Sequence, residues 1–315
     1  MKRMLACILF LWITHTLSAQ QNDEQKPLRH QLSLVSDNDF YLAQYNDRYY
    51  TNGIFFNYNW VVKQPSAKKI IHSLQLGQLM YNPIDYEHKE PEYIDRPYAG
   101  FLFLTYSQTH FFGKESVLQF SATGGITGKP SLTQALQQWY HHTVGFKKPE
   151  GWKYQVTAEP GLNMGALYAT TLFPTNNQAV AIKPVIQASL GNTFTNAKAG
   201  FLFQLGSFEK NSQSIAWNAS VSNTHEKTRH NYELYFYFYP QIIAQGYNAT
   251  VQGGLFVENK GLVKDVMPFM YQHTIGGMYS EKHIYLGLSV VYQTKEARTQ
   301  IQDQRYGSIL FGYRF

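Results

Sequence analysis

Twelve antiparallel strands closed into a transmembrane β-barrel, with a short helix in one extracellular loop: this all-β fold is what the sequence predicts. Four observations predict it. Apolar and aromatic residues alternate with polar ones in segment after segment, the period of a strand with two different faces. The chain holds 24 Tyr and 21 Phe, yet its mean hydropathy is negative. Beyond its first twenty residues, no stretch approaches the roughly 18 apolar residues that a spanning helix requires. The connections between alternating segments are by turns long and short, as in a barrel with long outer loops and short periplasmic turns.

The first residues are set aside from the fold. Lys2 and Arg3 precede an apolar run from Leu5 to Trp12, and Leu17-Ser18-Ala19 ends in small residues. This is the pattern of a secretory signal peptide, cut after Ala19. Residues 1–19 are therefore expected to be the signal peptide and 20–315 the barrel domain. Cys7, the single cysteine, lies in the leader. The exported chain then has no disulfide, thiolate nucleophile or cysteine metal site. Of 27 basic residues two belong to the leader, which leaves a mildly basic chain against 21 acidic residues. Such a balance suits an anionic lipid surface. Nucleic acid is not an expected partner, since no basic aromatic module is present.

Strands are expected at 28–36, 48–62, 69–81, 97–110, 115–126, 153–171, 178–192, 195–206, 229–248, 264–279, 283–296 and 304–315. In the second, Ile54, Phe56, Tyr58, Trp60 and Val62 share a face, opposite Asn57 and Asn59. In the ninth, Leu234, Phe236, Phe238 and Ile242 oppose Glu233, Tyr235, Tyr237, Tyr239 and Gln241. Pro240 and Gly246 interrupt that strand, so a bulge or bend is expected there. The last strand sends Ile309, Phe311, Tyr313 and the terminal Phe315 outward. The connection 207–228 is long for the periplasmic side, and a small hairpin would account for it. Trp152 reads as an interfacial anchor.

One outer connection has helical spacing. Leu132, Leu136, Trp139 and Tyr140 make an apolar stripe, Ser131 is placed to cap it, and Gln134 would complete a capping box. The stripe should lie against the barrel wall or dip toward lipid.

Candidate chemistry gathers at strand ends. Asn38 and Asp39 follow the first strand and Thr51 opens the second, so a hairpin would bring all three to the outer rim. Their oxygens suit a hard cation such as Ca²⁺, or an Asp/Asn-rich turn. His141 ends the helical segment, either as a general base for water or as a cation at a helix C-terminus. Arg96, after Asp95, offers a loop-end ion pair or a phosphate contact. The chain has no Gly-x-Ser-x-Gly elbow and no His-Glu-x-x-His zinc motif.

Six pieces occur in one order: Asn38-Asp39; Asp47-Arg48-x-Tyr50-Thr51-x-Gly53; Tyr81-x-Pro83; Asp95-Arg96-Pro97-Tyr98-Ala99-Gly100; Gln137-x-x-x-His141; and Gly151-Trp152-x-x-Gln155. Over nearly the whole mature chain, this pattern resembles the LpxR family of outer-membrane lipid A 3′-O-deacylases. The resemblance implies a bacterial outer-membrane enzyme, a Ca²⁺-dependent carboxylic ester hydrolase. Its substrate would be lipid A, as lipopolysaccharide in the outer leaflet, and the bond cut would be the 3′-O-linked acyloxyacyl ester. His141 matches the general base. Asn38, Asp39 and Thr51 match active-site positions, with Asp39 on the metal. The family's functional lysine follows the Tyr-x-Pro motif. Here His88 stands at the ungapped position, and Lys89 takes the role on a one-residue shift. A monomer is expected. The competing readings are an outer-membrane phospholipase or esterase of other specificity, and a non-enzymatic barrel serving as a narrow pore or structural protein.

Overall fold

In the computed structural model, which describes residues 27–43, 48–62, 69–85, 90–173, 179–224 and 228–315, twelve strands form a closed antiparallel barrel. They are β1 (His30–Asn38), β2 (Tyr49–Val61), β3 (Ile70–Asn82), β4 (Ala99–Phe112), β5 (Ser116–Thr127), β6 (Pro160–Ala169), β7 (Val180–Gly191), β8 (Phe194–Ser207), β9 (Tyr232–Asn248), β10 (Phe269–Glu281), β11 (Ile284–Gln293) and β12 (Gln304–Arg314). Each strand pairs with its sequence neighbours, and β1 closes on β12 with Leu34 opposite Phe311. Closure leaves no free sheet edge, the condition for crossing a bilayer with strands. Leader residues 1–19, together with His88 and Lys89, lie outside the described residues.

The alternation resolves into two walls. Leu234, Phe236 and Ile242, Leu286, Leu288 and Val290, and Ile309, Phe311, Tyr313 and Phe315 are all exposed on the outer surface. In water such a surface would be an aggregation site; in hydrocarbon it is the favourable one. At the end carrying the termini, His30, Tyr58, Trp60, His72 and Tyr106 stack across the outer face of β1 to β4. This is the amphipathic aromatic layer expected at a membrane–water boundary.

Inward residues fill the lumen. The connection 208–224 does not form a hairpin; it folds up into the barrel around a 3₁₀ turn, Ile215–Trp217. Ala219 and Val221 join Val61, Ile71, Phe111, Val117, Ala169 and Val185 in one buried cluster. Glu233 on β9 ties the plug down by accepting from Glu209 N, Ser214 Oγ and Ile215 N at 3.0, 2.7 and 2.8 Å. A long periplasmic connection therefore serves as a stopper. Above it a polar space of about 410 Å³ remains, bordered by Asp37, Tyr50, Lys198, Gln245 and Glu296.

The irregularity expected in β9 is present and has two parts. Thr195 pairs with Tyr247 and Asn196 with Gln245, so Gly246 is the bulged residue. Pairing with β8 also lapses between Gly200–Gln241 and Phe203–Phe238, where Pro240 has no N–H to donate. Two strands start well after their expected first residues, 153 and 264. Residues 153–159 begin with a 3₁₀ turn, Gly151–Tyr154, and strand follows only from Pro160; β10 likewise starts at Phe269.

Candidate active site

The site begins where β1 runs out. Asn38 is the last residue of β1 and caps a 3₁₀ turn, Asp39–Leu42, with its Oδ1 accepting from Phe40 N at 2.8 Å. The turn folds back over the outer wall: Tyr41 Oη meets Ser36 Oγ at 2.8 Å, and a Cβ on Gly307 of β12 would lie 2.8 Å from Tyr41 Cβ. Ser36 and Gly307 share the outward parity of Leu34 and Ile309.

Thr51 is brought to this turn by a break in register. Tyr50 pairs with Tyr81 and Asn52 with Met80, so Thr51 is the extra residue of a β-bulge. Bulges re-aim side chains, and Thr51 Oγ1 donates to Asp39 Oδ2 at 3.1 Å. The same carboxylate oxygen accepts from Arg48 N at 3.1 Å. Asp39 and Thr51 are both buried. Beside the bulge Tyr50 turns inward, its Oη donating to Asp37 Oδ2 at 2.8 Å. Gly53 makes room for it, since a Cβ there would lie 1.9 Å from Tyr50 Oη.

His141 arrives on the outer-loop helix, α1 (Thr133–Val144). The cap differs from the expected capping box. Ser131 belongs to a 3₁₀ turn, Lys129–Ser131, and donates to Gly128 O at 2.6 Å, while Leu132 occupies the N-cap in a left-handed conformation. Ser131 and Thr133 sit on the outer face of β4 at Gly100, where a Cβ would lie 2.2 Å from both hydroxyls. Gln78, outward on β3, donates to Ser131 O at 2.6 Å.

The helix lies on the barrel with its polar side down. Thr133, Gln137 and His141, four residues apart, form its buried face. Leu132, Trp139, Tyr140 and Val144 are exposed, Leu132 at 60 % and Trp139 at 63 %. The expected apolar stripe is split: Leu136 packs against Met80, Ile94, Tyr98 and Trp152 on the barrel, while Leu132, Trp139 and Tyr140 face outward. A polar face turned to the protein and an apolar face turned out suit the interface of a bilayer.

Gly145, with φ of +84°, stops α1 and reverses the chain; its N–H and that of Phe146 both donate to His141 O, at 2.9 and 2.8 Å. The reversal returns Lys147 O to within 2.6 Å of His141 Nδ1. A carbonyl only accepts, so Nδ1 carries the proton, and the lone pair of the neutral ring lies on Nε2. Phe146 stands edge-on to the imidazole at 5.6 Å, and His141 is 1 % exposed.

A short series of contacts joins the two halves. Met80, opposite Asn52 and next to the bulge, packs with Ile94, Tyr98 and Trp152. Trp152 Nε1 donates to Gln137 Oε1 at 2.7 Å, one helical turn before His141. Trp152 is thus a buried strut, not the interfacial anchor read from the sequence.

Arg96 stands apart, on the lumenal side. It is wholly buried, and its partner is Glu296, not Asp95. Nε and Nη2 donate to Glu296 Oε2 at 3.2 and 2.5 Å, Nη2 to Thr250 Oγ1, and Nη1 to Pro97 O and Thr250 O. Its guanidinium also lies 4.0 Å from the Tyr81 ring centre. Every donor is engaged inside the protein, and the phosphate contact considered for it has no opening here. Asp95 instead accepts from Tyr49 Oη at 2.7 Å, Ile84 N and Ile301 N, fastening three rim segments. Glu296 and the Lys147 carbonyl escaped sequence reading. The first is 200 residues from its partner, and the second is a backbone atom without a side-chain signature.

A cation at Asp39 would meet hard oxygens only: the Asp39 carboxylate, the Asn38 amide oxygen and the Thr51 hydroxyl. No group of three His, Cys, Asp or Glu residues capable of holding a metal occurs among the described residues. Oxygens of this kind are the ligands a hard cation such as calcium takes, and a set with one carboxylate would hold it more weakly than one with several.

Comparison with known proteins agrees with the architecture. The family model described as outer membrane protein LpxR matches residues 4–315. LpxR from Salmonella typhimurium superposes with a TM-score of 0.73 at 20% identity, over 90% of this chain and 100% of that one. The β domain of the Bordetella autotransporter BrkA reaches 0.50 at 9% identity, over 92% and 99% of the two chains, a likeness of barrel alone. No curated protein sequence matches. With the family model spanning almost the full length, the chain belongs to the LpxR family of outer-membrane proteins.

Proposed function

We propose that this protein is a lipid A deacylase of the outer membrane that hydrolyses the 3′-O-linked acyloxyacyl ester, with His141 as general base. Family membership supports the substrate class. The observation that carries the chemistry is the 2.6 Å contact between His141 Nδ1 and Lys147 O, because it leaves the basic nitrogen as Nε2 and steadies the imidazolium that forms.

In the reaction, Nε2 takes a proton from water as the water oxygen bonds to the ester carbonyl carbon. The resulting imidazolium is held by its Nδ1–H on Lys147 O. When the C–O bond to the sugar breaks, the proton passes from Nε2 to the sugar oxygen. The products are a free acyloxyacyl acid and a 3′ hydroxyl. Thr51 and Arg48 N hold the Asp39 carboxylate in place by donating to it. Asp39, Asn38 and Thr51 would hold calcium, which when bound would draw charge from the ester carbonyl oxygen. Lys89 remains a proposed second cation for the same oxygen. A site on the outward side of the wall suits a substrate that stays in the leaflet and approaches sideways.

The test is purified protein in detergent micelles with Ca²⁺, offered lipid A or phospholipid, and mass spectrometry of the products. Loss of the 3′ acyloxyacyl group from lipid A supports the reading. Cleavage of phospholipid alone would replace it with a lipase of other specificity, and no cleavage of either would leave a non-enzymatic barrel.

A further inference from the structure

Next to Asp39, on the same rim, a cavity of about 430 Å³ is lined by Arg48, Lys295, Ile301, Gln302, Asp303 and Arg305. Three of these six are cationic. Asp303, the one acid, accepts from Tyr292 Oη at 2.5 Å and from Lys295 N at 3.2 Å, so the lining sets three cations against one carboxylate. Neither Lys295 nor Arg305 forms an ion pair among the described residues. An excess of positive charge around one concavity draws an anion to it.

Both arginines are held in place. Arg48 Nη1 donates to Gln302 Oε1 at 2.6 Å, on the β11–β12 loop. Arg305 lies over the ring of its cross-strand partner Tyr292, 5.6 Å from the ring centre. Arg305 has the outward parity of Ile309 and Phe311, so it sits on the lipid-facing surface at the outer end of β12. An arginine there, with a lysine and a second arginine above it, is at the depth of lipid headgroups. Arg48 also joins the pocket to the reaction site, because its backbone N–H holds Asp39 Oδ2.

We propose that this pocket binds a phosphate of the lipid substrate's sugar headgroup and so sets which ester reaches Asp39 and His141. Guanidinium groups bind phosphate in pairs of hydrogen bonds and an ammonium binds it as a point charge, so the mixed trio fits a phosphate monoester. The assignment rests on the deacylase reading for its substrate, but the pocket can be tested by binding alone.

The variant is Lys295→Gln/Arg305→Gln, with Arg48 kept because it adjoins Asp39 and a change there could disturb the reaction site directly. Heat-modified gel mobility confirms that it folds. Lipid A and the same lipid A stripped of its phosphates are each titrated into the protein in micelles by calorimetry, and each is assayed for turnover. In the wild-type protein the phosphorylated lipid should bind about ten-fold more tightly, the effect of one or two charge-assisted contacts. The double variant should lose most of that ratio, seen in KM and not in kcat. Equal affinity for both lipids in the wild-type protein, or an undiminished ratio in the variant, would overturn the proposal. Inorganic phosphate that binds alone as tightly as the phosphorylated lipid would also overturn it, by assigning the pocket to a free anion. Should neither lipid be hydrolysed while the binding ratio stands, the deacylase reading fails and the phosphate pocket survives.

Discussion

Thr51 Oγ1 lies 3.1 Å from Asp39 Oδ2, a contact between the 3₁₀ turn that follows β1 and the bulge of β2. Without the bulge, regular alternation would send Thr51 into the lumen with Phe55 and turn Tyr50 outward with Ile54 and Phe56. The extra residue frees the Thr51 hydroxyl for the carboxylate and turns Tyr50, one position earlier, into the lumen.

Thr51→Val keeps the shape of the bulge and removes the donor to Asp39. Hydrogen bonds to charged groups contribute about 1.5–3 kcal/mol, so turnover should fall roughly 10- to 100-fold. Thr51→Ser should retain most of it. Steady-state hydrolysis of lipid A by the two variants is the check.

Gly145 tests the orientation of His141 through the backbone. A Cβ on Gly145 meets nothing within 4 Å, so Gly145→Ala introduces no clash and acts only through its positive φ. That strain is about 1–2 kcal/mol, and easing it moves Lys147 O away from Nδ1. Activity should drop several-fold with barrel stability unchanged. Gly113→Ala, at a turn where a Cβ likewise meets nothing, should leave activity at the wild-type level.

Arg96→Met should be severe for stability and not for chemistry alone. It strands Glu296 in a buried setting, and breaking such a pair costs about 3–5 kcal/mol. The double change Arg96→Met/Glu296→Leu should recover much of this loss. Urea unfolding in micelles, followed by tryptophan fluorescence, measures both.

Calcium should be needed and weakly held. With a single carboxylate in the proposed set, half-activation is expected at about 10⁻⁴–10⁻³ M. Chelation should abolish hydrolysis reversibly, and Asp39→Asn should raise the calcium requirement. Activity titrated against free calcium decides this.

Much of the barrel was legible because its physics is local. Phe236 and Tyr237 declare opposite faces by alternation alone, and the interruptions at Pro240 and Gly246 follow from a missing N–H and a missing side chain. The plug was not legible. Its anchor Glu233 reads as one more inward polar residue, and only the closed lumen shows what it holds. At the site, Asn38, Asp39 and Thr51 were legible as a hairpin junction. The polar side of α1 was harder to read. Leu132 and Trp139 look like a core stripe, and only the lipid outside makes their exposure favourable. Arg96 misled for a related reason, since its acid comes from the distant β11–β12 loop.

The central claim is that the imidazole of His141 activates the water that cuts lipid A. Mass spectrometry of lipid A from cells expressing the wild-type protein or His141→Gln, both confirmed as folded in the outer membrane, tests it most directly. The account predicts loss of the 3′ acyloxyacyl group with the wild type, and a rate lower by about 10²–10⁴-fold with the variant. Equal deacylation by the two, or unaltered lipid A with the wild type, would contradict it.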